Sequence, residues 1–326
     1  MSKRPSKYVM EWMTRSLAIL YGIDEVIYSG KTKYQRVDIV KTRDYGLALI
    51  LDGLLQSAEI DEHIYHEVLV HPAMIAHQDP KKVLIVGGGE GATAREVERY
   101  SGVEEIEMVD LDEELIELLK KHLPWSKEGF KDPRLKLIIM EGREFLSKQP
   151  DDRYDLIIMD VTDPAEYSPA LKLYTREFYR IAFKKLRNWG ILVTQASSLS
   201  NTTKLSLSIL ETIKSIFPRG CIYSIYIKSF ASLWGFAVGS KDGLPSDLSS
   251  AEVDKKLEER GVRGLRFYSG RVHRALFDLT DSLLKTLWSE PEILSDEKPL
   301  TPDAIVEPSF LESSRRRENS NRGASN

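Results

Sequence analysis

Cysteine is almost missing from this chain: Cys221 is the only one in 326 residues. An internal disulfide is thereby excluded, as is a zinc site built on several thiolates, and a reducing, cytoplasmic setting fits best. Long apolar runs are lacking as well, since no stretch approaches the ~20 residues that a bilayer span needs. The basic opening, Met1 to Lys7, is followed by no hydrophobic leader, so neither a membrane protein nor a secreted one is expected. There is no excess of positive charge: 46 Lys and Arg stand against 50 Asp and Glu, a net charge of -4, which argues against nucleic acid as a partner. Small cations are the more natural guests. Histidine is scarce, with six in all. His63, His66 and His71 share one expected helix, but spacings of three and five do not bring all three to one face. No metal site is expected, and His63 and His71 read as surface or core residues.

What is present is the composition of an ordinary folded protein, 42% hydrophobic and 29% charged. The length suits one large α/β core with a smaller domain beside it. Residues 24–60 alternate and turn like a small antiparallel sheet, with Gln35, Val37 and Ile39 on one face and Asp44, Gly46 and Asp52-Gly53 as punctuation. A helix is expected over Asp61–His77, stopped by Asp79-Pro80, and it should join two domains. Beyond it, short apolar runs at Val83–Val86, Ile106–Val109, Leu135–Met140, Leu156–Met159 and Ile191–Val193 alternate with helical segments. That alternation predicts a parallel, doubly wound α/β sheet of the Rossmann-like, methyltransferase type. Cys221–Ile227 and Trp234–Val238 read as its antiparallel edge. The expected division is a β-rich domain at 1–62, a catalytic domain at 63–290 and a C-terminal extension at 291–326, whose polar end from Ser309 to Asn326 reads as disordered.

The first strand of that sheet runs into Gly87-Gly88-Gly89-Glu90-Gly91 and then a helix over Thr93–Tyr100. Glycines at 87, 89 and 91 permit a tight turn and close approach of a ligand at the helix N-terminus. The next strand ends Asp110-Leu-Asp112, which places an acid where an adenosine ribose presents its hydroxyls. A dinucleotide and an S-adenosyl donor both satisfy this much. The tight Gly-x-Gly-x-Gly spacing and Glu90 favour the S-adenosyl type, because Glu90 would repel a pyrophosphate and attract a cationic arm. The fourth strand ends at Asp160 and continues to Asp163-Pro164. Both acids should face the crevice beyond the strand ends. Turn capping is the blander role for an Asp-x-x-Asp-Pro run, but three acids around one crevice raise one another's pKa unless cations occupy it. An amine substrate would supply those cations.

These residues, with Lys33-Tyr34-Gln35, Leu51-Asp52-Gly53 and Gln56, Asp61-Glu62, Tyr65-His66-Glu67, Arg95-Glu96, Asp132-Pro133-Arg134, Phe178-Tyr179 and Gly190 to Gln195, resemble the spermidine and spermine synthase family of aminopropyltransferases over about residues 10–280. The resemblance implies that Gln35, Gly87, Gly89, Asp110, Glu141, Gly142 and Pro169 line a pocket for decarboxylated S-adenosylmethionine. It implies that Gln56, His66, Glu90, Asp163 and the Phe230 position contact the amine. Asp160 is then the proton acceptor, with Tyr65 beside it, and the protein assembles as a homodimer or homotetramer through the N-terminal module. No cofactor is implied, the nucleoside being a substrate. Glu90 in place of the usual Asp, Val161-Thr162, the longer segment from Pro164 to Leu173, and Ser229 to Trp234 in place of a Tyr-Pro-Ser-Gly run are similar to the thermospermine synthase branch. Glu166 in the longer segment is a candidate partner for a distal ammonium. Glu141 and Asp110 each differ by one methylene from the acid usual at their positions. The competing readings are a small-molecule methyltransferase, which has no need of the acceptor acids, a silent polyamine or nucleoside sensor, and a structural protein assembled through its first sheet.

Overall fold

A computed structural model describes residues 7–14, 16–164, 168–287 and 289–300. The polar tail at Ser309–Asn326 and the loop acid Glu166, both singled out from the sequence, lie outside the described residues.

Alternating apolar side chains build the first of two sheets. Its antiparallel strands follow in order: β1 (Lys7–Trp12), β2 (Ala18–Lys31), β3 (Arg36–Thr42), β4 (Gly46–Leu51) and β5 (Leu54–Ala58). Val37 and Ile39 of β3 pack with Leu49 and Leu51 on one face, while Val40, Ala48 and Ile50 pack on the other. The sheet therefore starts at Lys7 and not near residue 24. In β1 the run Tyr8-Val-Met-Glu-Trp12 is apolar towards both faces, with Tyr8 and Met10 exposed, so a period of two is invisible there.

α1 (Glu62–Ala76) follows β5 and is buried without a break from His66 to Ile75. A helix apolar on all sides is a core helix, and this one packs against both sheets through Ile64 and Tyr65 at one end and Val68 to Ile75 at the other. The Glu67 carboxylate, fully buried on it, accepts hydrogen bonds from the backbone N–H groups of Arg266, Phe267 and Tyr268 at 2.7, 2.9 and 2.7 Å.

The second sheet holds β6 (Lys82–Gly87), β7 (Glu105–Asp110), β8 (Leu135–Ile139), β9 (Tyr154–Asp160), β10 (Leu186–Ser198), β11 (Arg219–Ile227) and β12 (Ser232–Ser240), in the order β11-β12-β10-β9-β6-β7-β8. Strands from β10 to β8 run parallel, and β12 is antiparallel to both β10 and β11. This is the doubly wound sheet with an antiparallel edge that the apolar runs implied. The helices are α2 (Ala92–Glu98), α3 (Glu113–His122), α4 (Pro124–Glu128), α5 (Gly142–Lys148), α6 (Arg176–Lys185), α7 (Thr203–Lys214), α8 (Ser250–Glu259) and α9 (Gly270–Leu284). Helices α1, α2, α8 and α9 cover Val83, Ile85, Ile106 and Ile158 on one face, and α5, α6 and α7 cover Leu84, Val86, Ile157 and Leu192 on the other. Burying each such side chain stabilises the fold by about 1.5–3 kcal/mol. Among the described residues no helix is long and apolar enough to cross a membrane.

The chain winds from β6 out to β7 and β8, then returns to β9 on the other side of β6. Gly87 and Asp160 are paired across that reversal, which is where ligands bind in such sheets. The small sheet closes over the same edge, packing on Ala92, Leu115 and Trp125 through one face and on Ile227 and Phe230 through the other.

Candidate active site

The reversal opens into a cavity of about 630 Å³. Apart from Glu166, the residues that the resemblance placed at the site all line it: Gln35, Gln56, Tyr65, His66, Gly87, Gly89, Glu90, Asp110, Glu141, Gly142, Asp160, Asp163, Pro169 and Phe230. They arrive from β5, β6, β7, β9, α1, α5, the 3-10 turn Pro169–Tyr174 and the connections that hold Gln35, Gly89, Glu90, Glu141, Asp163 and Phe230.

One lobe lies over the Gly-rich turn. Gly87, Gly88 and Gly91 have φ of 79°, 75° and 82°, values that side chains resist, and a Cβ on Gly87 would stand 2.2 Å from the Asp160 carbonyl oxygen. Asp110 accepts backbone hydrogen bonds from Gly89 and Asp112, each at 3.0 Å, and burial pushes its carboxyl up to about 6 against those bonds. Asp112 caps α3 through Leu115 N–H and accepts from Thr32 Oγ1 at 2.6 Å and Gln35 Nε2 at 3.0 Å, so Gln35 is held across the two sheets. Glu141 spends both oxygens capping α5, accepting from the Arg143 and Glu144 N–H groups at 2.9 and 2.7 Å. Val86, Val109, Pro169 and Leu173 supply apolar walls.

The other lobe is acidic. Asp160 Oδ1 accepts from the Tyr65 hydroxyl at 3.1 Å and Oδ2 from the Thr93 hydroxyl at 2.6 Å, with His66 Nε2 at 3.9 Å. Asp163 accepts from Gln195 Nε2 at 3.0 Å and Ser197 Oγ at 2.9 Å; burial raises its pKa against both bonds. Glu90 accepts from the Ser57 hydroxyl at 2.6 Å and from the Trp125 indole, and burial raises its pKa too, opposed by His66. Burial alone would lower His66, but the hydrogen-bonded Glu62 carboxylate, with Glu90 and Asp160, lifts it to about 9. Burial and the nearby Asp160 put the Tyr65 phenol well above its usual range. Phe230, edge-on to Tyr65 at 6.1 Å and 4.8 Å from Trp234 between centroids, forms an aromatic wall without a hydroxyl.

Several residues of the site escaped the sequence reading. Glu11 of β1 lines the acidic lobe, accepts from Leu55 N–H at 3.2 Å, and is raised to about 7 by burial, with Asp163 contributing. Its one available signal was a lone carboxylate between Met10 and Trp12 in a strand. Ser57, Thr93, Trp125 and Ser197 act on the named acids from four different segments, and no local pattern marks them. His71 lies in the core, bonded to the Tyr100 hydroxyl at 2.8 Å and Glu96 at 3.2 Å. Among the described residues no group of three or more His, Cys, Asp or Glu side chains is arranged to hold a metal ion.

Sheet order, Gly-rich turn and strand-end acids together define a Rossmann-like α/β domain roofed by a small antiparallel sheet. Sequence comparison narrows the class. Residues 62–249 match the spermine/spermidine synthase domain and residues 9–59 the spermidine synthase tetramerisation domain. The chain is 43% identical over 298 residues to polyamine aminopropyltransferase 2 of Hyperthermus butylicus, covering 91% of this chain and 97% of that protein. It is 41% identical over 295 residues to the polyamine aminopropyltransferase of Saccharolobus solfataricus, covering 90% and 97%. Among solved structures, spermidine synthase in complex with the transition state analogue AdoDATO superposes with a TM-score of 0.80 at 30% identity, covering 88% of this chain and 97% of that one. The spermidine synthase from Thermotoga maritima gives 0.78 at 30% identity, covering 87% and 97%. The chain belongs to the spermine/spermidine synthase family.

Proposed function

We propose that the protein transfers the aminopropyl group of decarboxylated S-adenosylmethionine to a polyamine, releasing 5'-methylthioadenosine. The observation that carries this reading is the acidic lobe itself: Glu11, Glu90, Asp160 and Asp163 line one cavity, an arrangement that cationic amines neutralise. The donor is held by Gln35, Gly87, Gly89, Asp110, Glu141, Gly142 and Pro169, and the acceptor by Gln56, His66, Glu90, Asp163 and the Phe230 wall. An amine lone pair attacks the propyl carbon bonded to sulfur; a C–N bond forms, the C–S bond breaks, and its electron pair returns to sulfur. That lone pair is freed as the acceptor's ammonium passes a proton to Asp160, with the Tyr65 hydroxyl steadying the carboxylate, and the product leaves as the ammonium. Supplying a neutral amine at pH 7 costs roughly 4 kcal/mol for a group of pKa near 10, which is the work assigned to Asp160. The sulfonium is already an activated leaving group, so the reaction as proposed needs no metal or other cofactor.

Spermidine, taken at its aminobutyl end to give thermospermine, is the acceptor we favour, with putrescine to spermidine as the other course. Phe230 offers no hydroxyl at the wall where a short diamine would be gripped, and Glu11 adds a carboxyl for a further ammonium. Assembly as a homodimer or homotetramer through the first sheet, and a cytoplasmic setting suited to a lone cysteine, complete the reading. Steady-state kinetics with decarboxylated S-adenosylmethionine and a panel of amines, with products identified by mass, tests it. A preference for putrescine above tenfold in kcat/KM, about 1.4 kcal/mol, would refute the acceptor assignment, and no transfer to any amine would refute the activity.

A further inference from the structure

One residue beside the acceptor acids is held in a backbone conformation its type avoids. Ser197 has φ of 58°, in the left-handed region that costs any residue with a Cβ. The strain arises where β10 slips its register against β12, between Gln195 and Ser198. Gly235 on β12 lies beneath the bulge; a Cβ there would approach the carbonyl oxygens of Ser197 and Ala196 to 3.3 and 3.4 Å. A glycine at 197 would relieve the strain, so the serine needs another reason to be there.

Its contacts supply one. Ser197 is almost wholly buried, its N–H donates to Gln195 Oε1 at 2.7 Å, and its hydroxyl donates to Asp163 Oδ2 at 2.9 Å. The Gln195 amide, so oriented, donates from Nε2 to Asp163 Oδ1 at 3.0 Å and to the Val161 carbonyl at 3.1 Å. The Thr202 hydroxyl lies 2.9 Å from Ser197 Oγ and itself donates to the Ser198 carbonyl. With the Thr202 proton on that carbonyl, the single Ser197 hydroxyl proton goes to the carboxylate, the stronger acceptor. Asp163 is thus gripped at both oxygens by two side chains that the bulge places side by side.

We propose that Ser197 is a positioning residue for the amine acceptor: the bulge in β10 turns its hydroxyl onto Asp163, fixing that carboxylate towards the cavity with lone pairs left for an ammonium. This rests on the aminopropyl-transfer reading, since it is the amine that Asp163 would grip. Hydrogen bonds to charged groups are strong enough that removing one weakens amine binding about tenfold or more. Because Ser197 acts through Asp163 and not on the reacting atoms, the loss falls on KM.

Ser197→Gly and Ser197→Ala separate this role from a structural one. With saturating donor and spermidine varied, both should raise the amine KM about tenfold or more and keep kcat within about threefold. Calorimetric affinity for methylthioadenosine should not change. Ser197→Gly should melt above Ser197→Ala by about 2 °C or more, since both lose the hydroxyl and only glycine accepts the left-handed backbone. An amine KM within twofold of the parent in Ser197→Gly overturns the inference, as does a loss in both variants that merely tracks a fall in melting temperature. A parent chain that transfers to no amine overturns the functional reading and this inference together; a transferring parent with an unaffected Ser197→Gly overturns the inference alone.

Discussion

Replacing Asp160 by asparagine isolates the proton transfer from everything else the side chain does. The carboxylate is placed by the end of β9, with Oδ1 held by Tyr65 and Oδ2 by Thr93. An amide keeps the first bond, and the Thr93 hydroxyl can turn to accept from the new NH2 group, so the cavity should keep its shape. What disappears is the acceptor for the amine's proton. Bringing an amine of pKa near 10 to its neutral form at pH 7 is a deficit of roughly three pH units, and positioned general bases typically recover about 10²–10⁴ in rate. Asp160→Asn is therefore expected to lower kcat by about 10²–10³ at pH 7.5 while methylthioadenosine binds within twofold of the parent. Its residual rate should climb about tenfold per pH unit from pH 7 to 9, following the neutral amine supplied by solvent, with the parent profile flatter. Single-turnover release of methylthioadenosine across that range is the assay. A kcat within fivefold of the parent, or a residual rate with the parent's pH slope, would show that the proton leaves by another route.

Gly89→Val should weaken nucleoside binding by about 100-fold or more, because its Cβ would stand 2.7 Å from Asp110 Oδ2 and 3.2 Å from Ile116 Cγ1 and so displace the Asp110 carboxylate; calorimetry with methylthioadenosine checks this, and undiminished affinity sinks it. His66, raised to about 9 in the folded protein, contributes stability that is fully present below the ordinary histidine pKa of ~6.5 and lost as pH rises through about 9. His66→Gln should accordingly lower the melting temperature by about 3 °C or more at pH 7, with a smaller gap at pH 10; a gap that widens with pH contradicts the pairing. Met10 and Leu20 face each other across β1 and β2 and are 51% and 62% exposed, so Met10→Lys with Leu20→Lys should dissociate the assembly, read as a fall in mass by light scattering with an unchanged circular dichroism spectrum. An unaltered mass would move the interface elsewhere.

The second sheet was legible in the sequence because β6, β7, β9 and the middle of β10 are buried on both faces, which makes them uninterrupted apolar runs between amphipathic helices. The first two strands were not, because Val9 and Tyr21 face the core while Tyr8, Met10 and Leu20 face outward, and apolar residues on both sides erase the period. At the site, Asp110, Asp160 and Asp163 could be found from their place at strand ends. Glu90 was visible in the glycine turn, but its partners Ser57 and Trp125 were not, since tertiary packing alone brings them to its carboxylate. Glu141 came from the family resemblance alone, and its hydrogen bonds as the α5 cap belong to a local pattern that the same residues equally express.

The Glu67 carboxylate sets a condition on the order in which the protein can be made. It is sealed in the core of α1, and the three N–H groups that satisfy it lie 199 to 201 residues later in the chain. During synthesis at roughly 5–20 residues per second, α1 leaves the ribosome tens of seconds ahead of those donors. Until they arrive, packing α1 fully would strand a carboxylate without partners, at a cost of a few kcal/mol. Nascent chains that stop short of Arg266 should therefore remain open to protease around α1, and chains that extend past Tyr268 should close; equal resistance on both sides of that boundary would show that α1 docks without its late partners.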